Sequence, residues 1–120
     1  MKDARVTLFR KTLEGLVESL DATVRVNRWT ANESVPEPLK ESAARLVGRL
    51  GTVDRLASNN FTGSANDVAR VNAMVVAMRR LDAAYVTYRA RVVRPSERDL
   101  AATALDAEID EVKGAFEIEA

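Results

Sequence analysis

The chain has no cysteine and no histidine. The first absence excludes disulfides and thiolate metal sites, and the second removes the commonest general base and metal ligand near neutral pH. Aromatic residues are scarce at 5%, and only five glycines and three prolines punctuate 120 residues. Net charge is lacking as well, because eighteen basic residues balance eighteen acidic ones. A neutral chain has no global field to draw it to nucleic acid or to an anionic membrane, so nucleic acid is unlikely and no membrane is expected as partner. The longest apolar run, Ala73 to Met78, falls far short of a bilayer span. The N-terminal stretch MKDARVTLFRKTLEGL sets Asp3 and Glu14 among basic residues and has no continuous apolar core of the kind a signal peptide needs. A cytoplasmic location is therefore expected, and Asn32-Glu33-Ser34 and Asn60-Phe61-Thr62 read as loop chemistry rather than as glycosylation sites.

What is present is helix-forming. Hydrophobic residues make up 47% of the chain, and Ala, Leu, Val, Arg and Glu dominate, which is an all-α composition. The longest pattern runs from Ser64 to Arg94, SANDVARVNAMVVAMRRLDAAYVTYRARVVR, and the rest of the chain is expected to be organised around it. Val71, Met74, Met78, Leu81, Tyr85, Tyr88 and Val92 alternate spacings of three and four along it, which makes one apolar seam. Val6, Phe9, Leu13, Leu16 and Leu20 form a similar seam earlier. Leu39, Ala43, Leu46, Leu50, Val53 and Ala57 form another, and Ala102, Leu105, Ile109, Val112 and Phe116 the last.

Breaks separate these seams. Pro36 and Pro38 push their predecessors Val35 and Glu37 out of helical geometry. The segment Ser58 to Gly63, SNNFTG, ends one helix, and Ser64 with Asp67 has the capping-box spacing that starts the next. Ser96 with Asp99 repeats that spacing after Pro95. Phe61 is expected to fold back over a bundle end. Gly48 and Gly51 are expected to let a neighbouring backbone come close, and Gly15 to permit a close helix contact. The reading is one domain over residues 1–120, with helices at about 2–29, 37–58, 64–92 and 96–118. Connections this short predict an up-down-up-down antiparallel four-helix bundle, with helical hairpins that complete a bundle by dimerisation as the alternative.

Function is less legible than fold. Ala69, Val76, Ala83 and Ala90 recur every seven residues on the side of the third helix away from its seam, where a solvated helix carries Lys, Glu or Gln. Arg79 and Arg80 border this stripe. Net charges by segment are +2 for Met1 to Thr30, 0 for Ala31 to Gly63, +4 for Ser64 to Arg94 and −6 for Pro95 to Ala120. Adjacent basic and acidic helices screen each other. Fourteen of the eighteen basic residues are Arg, a bias that suits interfaces. These features point to a small non-enzymatic module that self-associates or docks a protein partner through Ala69, Val76, Arg79, Arg80, Ala83 and Ala90. No catalytic, cofactor or metal residue set is found. Asp106, Glu108, Asp110 and Glu111 read as a solvated acidic face, and Met74 and Met78 as core filling. Two alternatives stand beside this reading. One is an accessory nucleic-acid-binding factor using Arg79, Arg80, Arg89, Arg91 and Arg94; the other is a bundle with a small-ligand or catalytic site near Tyr85 and Tyr88.

Overall fold

Apolar seams spaced by three and four dictate helices that must turn one face inward, and the chain satisfies all of them at once. The computed structural model describes residues 4–28 and 34–118. Among these, α1 runs over Ala4–Asn27, α2 over Glu37–Ala44, α3 over Leu46–Ser58, α4 over Ala65–Val92 and α5 over Arg98–Phe116. Together α2 and α3 make one bent member of an antiparallel four-helix bundle, 51 × 26 × 24 Å in extent. The helices pair within one chain, so the bundle is not assembled from hairpins of two chains. The expected helix limits at Lys2 and Trp29, and the stretch from Ala31 to Glu33, lie outside the described residues.

The interior follows the seams. Phe9, Leu13, Leu16, Leu20 and Val24 of α1 meet Leu46 and Val53 of α3, Val71, Met74, Met78 and Leu81 of α4, and Leu105, Ile109 and Val112 of α5. Fully burying each Leu or Val contributes roughly 1.5–3 kcal/mol, most of which the lost freedom of the chain offsets. Phe61 caps one end of this interior, edge-on to Phe9 with ring centroids 5.9 Å apart and with the Arg5 guanidinium 4.9 Å above its ring.

The helix that meets all the others is α1, and not α4 as the length of the Ser64 to Arg94 pattern suggests. Small residues on one side of α1 let α3 come close. A Cβ at Gly15 would stand 3.2 Å from Arg49 Cζ. Arg49 Nη1 donates to the Gly15 carbonyl and, at 2.8 Å, to the hydroxyl of the fully buried Ser19. One cation on α3 thereby satisfies two polar groups of α1 that would otherwise be costly inside the bundle. The approach expected of Gly48 and Gly51 is made instead by Gly15, since no atom of another segment comes within 4 Å of a Cβ at either of the former positions. α1 also touches α4 across the bundle diagonal, whereas neither α2 nor α3 reaches α5.

Helix ends explain the remaining departures. The Ser64 hydroxyl accepts the Asp67 N–H at 3.2 Å, the cap that its spacing predicts. The matching cap at Ser96 is not made. Pro95–Glu97 forms a 3-10 turn, and α5 starts at Arg98 with no side-chain cap. Glu97 is engaged there by Arg94 at 3.1 Å and Arg91 at 3.9 Å. The expected helix over 37–58 bends at Arg45, whose ψ of −9° departs from regular α-helix. At the far end Gly114 stays helical, while Glu117 takes the left-handed conformation with φ 53° and the Ile118 N–H returns to the Lys113 carbonyl at 2.9 Å.

Candidate functional site

At 28 residues α4 is the longest helix described. Its inner seam is covered by α1, α3 and α5, with Val71, Met74, Met78, Leu81 and Tyr88 buried. Its outer side is left open by the described residues. Ala69, Val76, Ala83 and Ala90 are all exposed, and Val76, Val86 and Val93 are 57%, 53% and 71% exposed. At 3.6 residues per turn these three valines span about 100° of arc, and Ala83 and Ala90 fall between Val76 and Val86 within it. Of the other large apolar side chains that are similarly exposed, Leu8, Val47 and Leu100 lie on α1, α3 and α5. Single exposed residues of that kind are ordinary on any protein surface, whereas a continuous face is not. The sequence reading missed Val86 and Val93. Both follow seam residues, Tyr85 and Val92, and a seam broadened by its neighbours hides them, although their own seven-residue spacing was a usable signal.

The arginines in and beside this face differ in what they do. Arg80 reaches sideways to α5, with Nη2 3.0 Å from Oε2 of both Glu108 and Glu111. The hydrogen bond to Glu111 and the charges of both carboxylates hold its guanidinium above the usual arginine pKa. It is a strut between α4 and α5, which is the mutual screening expected from their opposite charges. Arg79 Nη2 donates to the Ala57 carbonyl at 3.3 Å, against the end of α3. Arg91 and Arg94 pair with Glu97, and the Arg89 guanidinium lies 5.8 Å from the Tyr85 ring centre. Each of the five arginines considered for nucleic acid therefore has a partner inside the chain, and they do not converge on one free cationic surface.

Tyr88 and Asp106 are likewise engaged within the chain. Tyr88 is buried, and its hydroxyl accepts from Asn27 Nδ2 at 2.7 Å, which joins the end of α1 to α4. Clefts of about 290 and 190 Å³ border Tyr88, and one of about 290 Å³ borders Tyr85. A wider groove of about 700 Å³ opens elsewhere, between α2 and α5, where the bundle diagonal leaves them apart. Val17 and Ala22 lie on its α1 side, with Leu39 and Ile118 on the two walls. Its rim groups engage one another, Arg10 with Glu14 at 2.6 Å and Lys113 with Asp21 at 3.9 Å as ion pairs, and the Ser42 hydroxyl donating to Glu18 at 3.0 Å. Arg28, just past the end of α1, approaches Asp106 of α5 at 3.0 Å. Partial burial raises the Asp106 carboxyl above its ordinary pKa, opposed by Arg28 and assisted by the nearby negative charges of Asp21 and Asp110. Among the described residues no group of three or more metal-ligating side chains is placed to hold an ion, and no helix is long and apolar enough to cross a membrane.

Compared with known proteins, the chain matches no family model, and neither a curated protein nor a solved structure is significantly similar to it.

Proposed function

We propose that the protein works through protein-protein contact, as an adaptor or self-associating subunit, with the outer face of α4 as its contact surface. The observation that carries this reading is the row of valines, Val76, Val86 and Val93, each more than half exposed on one face of a helix whose opposite face is already buried. Leaving three large apolar side chains together in water sacrifices the stabilisation that their burial supplies, and a covering partner recovers it. Ala69, Ala83 and Ala90 fit the same use, because small side chains admit a second helix at close range. Arg79 stands within the face with its guanidinium drawn to the end of α3, and Arg80 beside the face is a strut that keeps α4 fixed against α5.

Val76→Glu and Ala83→Glu each place a charge in the middle of this face without touching the inner seam. Both variants are expected to keep the wild-type helical circular dichroism and thermal midpoint, and to lose self-association or partner retention. Unchanged solution mass and unchanged partner retention in both would remove the reading.

A further inference from the structure

We infer that the partner on this face is a second copy of the same chain, packed antiparallel along the C-terminal half of α4. The inference rests on the proposed contact surface and adds its occupant and its register. Val76, Arg79, Ala83, Val86, Ala90 and Val93 follow one another at alternating spacings of three and four, which is the seam of a two-helix contact, and all six are exposed. The seam is self-complementary when it is run backwards. Val76 of one copy meets Val93 of the other, Arg79 meets Ala90, and Ala83 meets Val86, so every layer sets a larger side chain against a smaller or equal one. A two-fold axis through the middle of the helix generates each layer twice.

Charge fixes the direction. Asp82 and Arg89 lie seven residues apart on the same flank of the seam, toward the Tyr85 side. Among the described residues Asp82 has no ion pair, and Arg89 has only the Tyr85 ring. At a rise of about 1.5 Å per residue they are about 10 Å apart along their own helix, too far to pair with each other. In the antiparallel register the Asp82 of each copy faces the Arg89 of the other, which makes two ion pairs. A parallel register sets this flank against the opposite one, where Arg80, Thr87 and Arg94 offer Asp82 no equivalent, since Arg80 and Arg94 already pair with α5 and Glu97. The contact strip is about 26 Å long, so the interface falls at the small end of stable ones and its formation depends on concentration.

Charge reversal tests both occupant and register. Asp82→Arg and Arg89→Asp, each alone, set like charges opposite each other twice and are expected to weaken self-association at least about tenfold in sedimentation equilibrium. Mixing the two variants restores opposite charges at both positions, and the mixture is expected to dimerise about as well as the wild type. Singles that dimerise like the wild type, or a mixture that stays monomeric, overturn the inference. If Val76→Glu abolishes the dimer while the charge variants leave it intact, the register is wrong and the contact surface stands. A wild-type chain that remains at 13.2 kDa at every concentration overturns the second copy as occupant, and the surface is then judged by partner retention in Val76→Glu and Ala83→Glu.

Discussion

α1 and α4 carry the same kind of apolar seam and end in different surroundings. α1 meets every other helix, so that even its Ser19 and Ala22 are buried and a cation from α3 is recruited to satisfy the polar groups left inside. α4 is longer and spreads its apolar residues around more of its circumference, yet among the α-helices it meets only α1, α3 and α5 and leaves three valines in water. Apolar content along a helix therefore does not say where the centre of a bundle is. The number of faces that find a neighbour does, and small residues such as Gly15 decide which helix can accept the most.

Substitutions of matched chemistry on the two helices sharpen this contrast. Leu20→Ala on α1 removes a fully buried side chain and is expected to cost about 2–5 kcal/mol in chemical denaturation. Val86→Ala on the outer side of α4 is expected to change the stability of the dilute chain by no more than about 0.5 kcal/mol. A cost at Val86 approaching that at Leu20 under dilute conditions would mean that the face is already packed within the chain. Next in size is Arg49→Ala, which leaves the Ser19 hydroxyl and the Gly15 carbonyl without their donor and is expected to cost about 1–3 kcal/mol. A neutral result there would show that water replaces the guanidinium and that the α1–α3 contact does not need it.

The smallest expected effect is electrostatic and lies between α1 and α5. Burial raises the Asp106 pKa in the folded chain, so its charged form is penalised above that folded value. The penalty is fully present at neutral pH, shrinks as pH falls through the folded pKa, and vanishes below the unfolded one. Asp106→Asn removes the charge, and also the Arg28 pair, a partly exposed contact that contributes little. The thermal midpoint of this variant is expected to equal or slightly exceed that of the wild type at neutral pH, with the difference below about 0.5 kcal/mol and closing as pH falls through the carboxylate range. A variant clearly less stable at neutral pH would show that Arg28 outweighs burial.

Much of this architecture is legible in the residues themselves. The seams of Val6 to Leu20 and Val71 to Leu81 are buried as their spacing requires, and Ser64 with Asp67 caps the helix that it announces. Other features needed the packed structure. No proline or glycine marks the bend at Arg45, so local sequence gives no warning of it. The Ser96 cap reads well by spacing but loses to a turn in which Pro95 starts a 3-10 helix and Glu97 is held by Arg91 and Arg94. That Arg49 reaches Gly15 and Ser19 depends on a contact between residues thirty or more positions apart, which periodicity within one helix cannot encode. The outer stripe was visible as Ala69, Val76, Ala83 and Ala90. Its larger members, Val86 and Val93, were hidden beside the inner seam, and the engagement of Arg80 with α5 shows that one of the bordering cations serves the bundle itself.

The solution mass of wild type and Val76→Glu across one concentration series decides whether the outer face of α4 is a contact surface. The wild type is expected to rise from 13.2 kDa toward the mass of a dimer as concentration increases, while Val76→Glu stays at 13.2 kDa with unchanged helix content. A Val76→Glu chain that dimerises over the same concentrations as the wild type would show that this face is not the contact surface.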